Sequence, residues 1–133
     1  MSKKNIPCPC QSSLNYTVCC GRYHKGKIHA PTAEALMRSR YCAYVIGDAQ
    51  YLYRTWHEST RPSLQSLRAS GPQESLLSLK IISTKAGGEN DNKGMVEFIT
   101  SSNSATLMGD IDQHKENSLF VKLKDRWVYI DAV

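Results

Sequence analysis

The chain has 133 residues, 41% of them hydrophobic and 22% charged, with a formal net charge of +5 at neutral pH. This length fits one domain with a small appendage, and the sequence contains no internal repeat or low-complexity tract. No segment approaches the roughly 20 consecutive apolar residues of a membrane span, which excludes an integral helical membrane protein.

Four of the five cysteines lie within thirteen positions near the N-terminus, as the pairs Cys8/Cys10 and Cys19/Cys20. Such clusters either bind a metal or form disulfides. The N-terminus is basic but lacks the apolar run of a secretory signal, so we expect a cytoplasmic protein in which disulfides are rare. Four thiolates can close a tetrahedral zinc site. The sequence therefore favours zinc, with a redox or free-thiol role as the alternative.

The spacing C-x-C-x8-C-C, together with the residues around it, resembles the SEC-C motif, a small zinc-binding module. The matching positions outside the cysteines are Pro9, Ser12, Tyr16 and Gly21. Gln11 and Ser13 stand where the motif usually has glycine. The resemblance implies one structural Zn²⁺ held by Cys8, Cys10, Cys19 and Cys20, in a segment that we call the cysteine module, residues 1–25.

Positive charge is concentrated on and beside this module. Residues 1–40 contain seven Lys and Arg side chains against Glu34 alone, whereas the rest of the chain is close to neutral. Four thiolates and one Zn²⁺ would offset only part of the excess. A basic module predicts an acidic protein partner, with nucleic acid a weaker alternative because no array of aromatic residues accompanies the charge. A solvated basic surface without a partner is the remaining interpretation.

Residues 21–31 have glycines, charges and a closing proline without periodicity, so we predict a linker. His24 and His29 lie in this segment. Either could replace one of the zinc ligands, but four thiols already suffice for a closed site.

The next part of the chain is predicted to be helical. Thr32 can cap a helix that Gly47 ends, Asp48 can cap a second, and residues 63–70 can form a third. Alternation then predicts strands near residues 77–81, 94–100, 113–124 and 127–131, with an unclear stretch at 101–111. Helices followed by a meander of strands indicate an α+β domain with the helices packed on one face of an antiparallel sheet.

Several stretches of this second part are similar to the bacterial YchJ-like family: Ala30–Tyr44, Thr55–His57, Val96–Phe98, Glu116–Phe120 and Trp127–Asp131. The resemblance implies a nuclear-transport-factor-2-like (NTF2-like) fold, a curved sheet wrapped over helices to form a cone. We call residues 26–133 the cone domain. Some relatives carry a second SEC-C motif after this domain, and the sequence stops at Val133 without one. Relatives of this fold are often dimeric, so a homodimer is a further expectation.

A cone can enclose a pocket, and the strand pattern offers candidates to line it. His114 and Glu116 share one face of their strand about 7 Å apart, where an imidazole and a carboxylate could perform acid/base chemistry. Asp131 is a third candidate, on the last strand. The alternative for Glu116 is a structural ion pair with Arg38 or Arg40. Cys42 is interpreted as a small buried apolar residue. His57 is interpreted as a cation at the end of a helix, with a proton carrier at the rim of the pocket as the alternative.

Two functions from different classes follow. The first, which we favour, is a zinc-binding adaptor whose module docks a partner and whose cone can hold a small ligand. The second is a small-molecule binder or acid/base enzyme working in the cone. An open cavity with a few polar groups would support the second function, and a cone filled by its own aromatic residues would support the first. We also expect zinc loss to loosen residues 1–25 only.

Overall fold

The computed structural model describes residues 6–103 and 111–133. Within these residues, a 3₁₀ helix, Tyr16–Val18, is followed by four α-helices and then four strands. The helices are α1 Cys20–His24, α2 Ala33–Ile46, α3 Ala49–Arg54 and α4 Leu64–Ser70. The strands are β1 Leu76–Ala86, β2 Lys93–Asn103, β3 Ile111–Leu123 and β4 Arg126–Ala132.

The three predicted helices are confirmed, and Ser63, predicted as the first residue of the third, is its cap. The side chains of Thr32, Asp48 and Ser63 each accept a hydrogen bond from the backbone N–H three residues later. This satisfies one of the free donors at each helix start. Gly47 ends α2 in the left-handed conformation, with φ of 83°. A β-carbon there would be strained, which explains the glycine.

The predicted linker at 21–31 is partly wrong, because its first residues form α1. This helix is a single turn, so it is too short to produce a hydrophobic period in the sequence. Tertiary packing holds it instead: Cys20, Gly21 and Tyr23 are all buried.

The strands form one antiparallel sheet in the order β1-β2-β3-β4. Three strands extend beyond their predicted ends, since β1 continues to Ala86, β2 to Asn103 and β3 begins at Ile111. These extensions are polar or solvent-exposed, so they lack the alternation that marks a half-buried strand. Residues 101–103 of the unclear stretch thus belong to β2, and 104–110 lie outside the described residues.

The core lies between α2 and one face of the sheet, which is the arrangement expected for this α+β fold. From the sheet come Leu79, Val96, Phe98 and Phe120, and from α2 comes Leu36, all buried. Trp127 closes one end of this core, where its indole N–H donates to the Pro31 carbonyl at 3.1 Å.

An extra residue in β4 changes which side chains face the core. Phe120 pairs with Tyr129, but the preceding Leu119 pairs with Asp131, so Ile130 has no partner of its own. Such a bulge interrupts the alternation of faces. Asp131 therefore lies on the face opposite Tyr129, and not beside it as strict alternation predicts.

Candidate metal centre and cone cavity

The sulfurs of Cys8, Cys10, Cys19 and Cys20 all lie within 4.8 Å of one another. Zinc with four thiolates at about 2.3 Å has sulfur–sulfur distances of about 3.8 Å, and the Cys10–Cys19 distance is 3.6 Å. All four residues are buried and none is in a disulfide. The four sulfurs and the distances between them thus fit one tetrahedral ion with no open coordination position.

Two short backbone structures bring the cysteine pairs together. A tight loop between Cys8 and Leu14 is closed by the Cys8 N–H donating to the Leu14 carbonyl at 2.9 Å and by the Gln11 N–H donating to Cys8 at 3.0 Å. The second pair, Cys19 and Cys20, lies where the 3₁₀ helix meets α1. Each pair is therefore fixed by local hydrogen bonds before any metal is considered.

Gln11 and Ser13, which replace the usual glycines, both have left-handed backbones, with φ of 66° and 74°. This conformation costs a residue with a β-carbon roughly 1–2 kcal/mol, which explains why glycine is common there. Gln11 has a compensating contact, since its side-chain amide donates to the Leu77 carbonyl of β1 at 3.0 Å.

Gly21, the last residue of the motif, is required by close packing. A β-carbon at this position would lie 2.7 Å from the carbonyl oxygen of Tyr16 and 3.0 Å from its ring. Any other residue would push Tyr16 away from the cysteine cluster.

Cys42 joins this cluster from α2. It is completely buried, as predicted, but its sulfur lies 3.4 Å from that of Cys8. A fifth thiol thus contacts the four-cysteine site. Sequence analysis missed this contact because Cys42 is 34 residues from Cys8 and only the packing of α1 on α2 brings them together.

The thiols influence one another's ionisation. Hydrogen bonds from Cys20, Cys42 and Cys8 lower the pKa of Cys10 far below its usual range. The pKa of Cys20 is raised, first because its thiol donates to Cys10 and also because it is buried. The thiols of the cluster therefore do not ionise alike. A bound divalent cation would be needed to deprotonate all four ligands.

His24 is not placed as a ligand. Its Nδ1 accepts a hydrogen bond from the Tyr16 hydroxyl at 2.5 Å, and its Nε2–H donates to the Ser39 carbonyl of α2 at 2.8 Å. Both nitrogens of the neutral ring are thus occupied, and burial lowers the pKa of His24. His29 is solvent-exposed and belongs to no group of described residues that could hold a metal.

Arginine side chains attach the cysteine module to the helices of the cone domain. Arg38 donates to the Cys10 carbonyl at 2.9 Å while pairing with Glu34 at 3.1 Å. Arg54 of α3 donates to the carbonyls of Tyr23 and His24, both at 3.0 Å. With the Cys42 and His24 contacts, these bonds make one continuous structure of the module and α2.

On the other side of α2, the cone encloses a cavity of about 370 Å³. His114, Glu116 and Ser118 of β3 all line it. His114 is largely exposed, and its Nε2 lies 3.2 Å from the Glu116 carboxylate. Ser118 is buried and donates to the other oxygen of Glu116 at 2.6 Å.

Two other candidates are placed elsewhere. Asp131 is exposed on the opposite face of the sheet, where its carboxylate accepts from the Ala132 backbone N–H at 2.9 Å. His57 lies outside the cavity lining, and its Nδ1 accepts from the backbone and hydroxyl of Ser59. His114 and Glu116 are thus brought together at the cavity, while Asp131 and His57 are not.

Arg40 is the cavity residue that sequence analysis treated only as an ion-pair partner. The structure does not pair Glu116 with Arg38 or Arg40. Arg40 is 3% exposed, and its guanidinium carbon lies beside the rings of Trp56 and Tyr129, 4.7 and 4.8 Å from their centroids. The sequence held a signal for this position, because Arg40 is three residues after Met37 on the buried face of α2.

Comparison with known proteins identifies both parts of the chain. The profile described as "YchJ, middle NTF2-like domain" matches residues 32–132, and that of the SEC-C motif matches residues 5–22. A UPF0225 protein of Streptomyces coelicolor is 46% identical over 126 residues, covering 95% of this chain and 94% of the relative.

Two solved structures share the fold at a TM-score of 0.81. One is the solution structure of a SEC-C motif containing protein from Rhodopseudomonas palustris, 31% identical, with 96% of this chain and 98% of that chain covered. The other is the crystal structure of a SEC-C motif containing protein from Psychrobacter arcticus, 26% identical, with coverage of 98% and 84%. This chain belongs to the YchJ-like UPF0225 family, in which an N-terminal SEC-C motif precedes an NTF2-like domain.

Proposed function

We propose that this protein is a zinc-dependent adaptor, in which one structural Zn²⁺ bound by Cys8, Cys10, Cys19 and Cys20 holds a basic surface that docks an acidic partner protein. Four thiolates complete the coordination of the ion, so the metal would supply rigidity and not a reactive water. Five unbridged cysteines support a reducing compartment, which agrees with a cytoplasmic protein.

The observation that carries the proposal is the surface of the cysteine module. Ile6, Leu14 and Val18 are each about half exposed, at 48%, 51% and 55%. Residues 6–29 also contain three basic side chains and no carboxylate. Exposed apolar side chains in a segment whose charges are all of one sign fit a docking surface, and a partner that combines acidic and apolar side chains would complement this one.

Crosslinking in cells tests the proposal. A photoreactive residue at Thr17, next to the exposed Val18, should capture a defined partner with an acidic surface. A Val18→Glu, Lys25→Glu variant should lose the adduct, whereas Lys85→Glu, on the exposed part of β1, should keep it. Equal capture by all three proteins, with one zinc per chain in each, would contradict the docking function.

The cavity favours a second candidate function, binding of a small molecule in the cone. The cone is not filled by its own aromatic residues, and its volume falls within the range of about 300–1,000 Å³ of ligand pockets. His114 and Glu116 could in addition move a proton at the mouth of the cavity. In this case the zinc site would be an accessory that holds α2.

A further inference from the structure

Arg40 lies buried against the cone cavity without a carboxylate partner. Its Nη1 donates to the Leu52 carbonyl at 3.0 Å and to the Thr55 hydroxyl at 2.8 Å. Its other hydrogen-bonding neighbour is the hydroxyl of Tyr44, and among the described residues no carboxylate forms an ion pair with it. A buried guanidinium normally pairs with an anion because its desolvation is costly.

The two aromatic rings fix how this cation can be used. Trp56 and Tyr129 both lie within 5 Å of the guanidinium carbon and contact each other edge-on, with ring centroids 5.3 Å apart. These cation–π contacts involve the charge of the group and leave N–H groups for hydrogen bonds. Arg40, Trp56 and Tyr129 all line the cavity. The N–H groups of Nε and Nη2 have the spacing that binds both oxygens of a carboxylate.

We infer that the cavity binds a small aromatic monocarboxylate, with the carboxylate on Arg40 and the ring against the apolar wall. This inference rests on the cavity being a ligand site, as proposed above. The apolar wall consists of Met37, Tyr41, Tyr44, Leu76 and Phe98, and the volume suits a molecule of one or two rings.

The charges around the cavity favour a single negative charge on the ligand. Among the described lining residues, Arg40 is the one permanent cation, and Glu116 opposes it with a carboxylate. A phosphate dianion would meet this carboxylate without a second basic side chain to balance it. Both oxygens of Glu116 already accept hydrogen bonds, from His114 and Ser118, so Glu116 does not demand a cationic group on the ligand.

The test is a titration of the ¹⁵N-labelled, zinc-loaded full chain, followed by amide chemical shifts. The probes are 3-phenylpropionate and indole-3-acetate, each compared with its primary amide, which has the same shape without the charge. We expect saturable shifts at Phe98, Thr100 and Ser118 with the acids. The amides should bind at least about tenfold more weakly, because they lose the charge-assisted pair with Arg40.

Variants that keep Arg40 avoid the risk of unfolding the core. Glu116→Gln should strengthen binding of the acids by roughly threefold, since it removes a nearby negative charge, and should leave the amides unchanged. Thr100→Trp should abolish binding by filling the cavity, and Lys115→Ala, one residue from Glu116 on the other face, should have no effect.

The outcomes separate the two claims. If acids and amides bind equally, the cavity is a ligand site but the carboxylate inference is wrong. If neither class binds saturably, or if Thr100→Trp binds as well as the natural sequence, the cavity function and the inference are both wrong.

Discussion

The cysteine module and the cone domain close their interiors by different means. The interior of the module consists of sulfur, from its own Cys8, Cys10, Cys19 and Cys20 and from Cys42 of α2, and Tyr16 packs against them. The cone has an apolar core, in which the described residues include thirteen of its own buried side chains together with Tyr23 of the module. Burial of carbon surface can hold the second structure by itself, whereas the first depends on what the sulfurs bind.

The boundary between these parts is less independent than the sequence predicts. Cys42, His24, Arg38 and Arg54 all make contacts across it. We therefore expect loss of the metal to disturb the middle of α2, residues 38–42, as well as residues 1–25, and to leave the sheet folded.

The largest effect should come from removing a metal ligand. Cys20→Ser should reduce zinc from one ion per chain to almost none and disorder the module, because a structural zinc site contributes on the order of 10 kcal/mol of binding free energy. Elemental analysis and amide spectra of the purified protein measure both changes.

Cys42→Ala is the matched control for this experiment, since it removes the fifth buried thiol and should keep one zinc per chain. Loss of zinc in this variant would show that Cys42 is itself a ligand, and would contradict the assignment of Cys8, Cys10, Cys19 and Cys20.

Phe120→Ala tests the cone domain, the second of the two compared parts. Phe120 is fully buried at the centre of the core, so the variant should lower the free energy of unfolding by about 3–5 kcal/mol and leave the zinc content unchanged. Urea unfolding measures the loss. Leu123→Ala, at an exposed position of the same strand, should change stability by less than about 1 kcal/mol; similar losses in both variants would refute this view of the core.

Acid should destabilise the contact between the cysteine module and α2, in which His24 takes part. Burial lowers its folded-state pKa below the ordinary value of about 6.5, so below this pH the unfolded chain gains a proton that the folded chain does not. Stability should fall by up to about 1.4 kcal/mol for each pH unit between the two pKa values. His24→Gln should show a smaller dependence, and because both proteins keep the same four thiols, their difference isolates His24. Identical pH profiles would exclude this role.

The smallest effect concerns the tight loop between Cys8 and Leu14. Ser13→Gly should raise stability by about 0.5–1 kcal/mol, because glycine relieves the left-handed strain at some cost in chain entropy. Ser12→Gly should do the opposite, since the Ser12 hydroxyl contacts the Cys19 sulfur at 3.1 Å and accepts from the Leu14 N–H at 3.2 Å. Thermal unfolding of both variants checks the sign; stabilisation by Ser12→Gly would count against a role for its hydroxyl.

Features with a local cause were predictable from the sequence. The caps at Thr32, Asp48 and Ser63, the glycine end of α2 and the cysteine spacing each depend on a few neighbouring residues. Features that depend on tertiary contact were not predictable. Cys42 reaches Cys8 only after α1 packs on α2, and Arg40 is stacked only after Trp56 and Tyr129 come together across an isolated bridge.

The bulge in β4 has a consequence for how variation in the last strand should be understood. Up to Tyr129 the odd-numbered positions face the interior, and after Ile130 the even-numbered Ala132 stands opposite the buried Ser118. In a complete mutational scan, positions that tolerate substitution should alternate along β4 with positions that do not. This alternation should therefore shift by one residue at Ile130. Deleting that one residue should remove the bulge and leave Asp131 opposite Leu119 on its present outer face, because Asp131 would then follow Tyr129 in regular alternation.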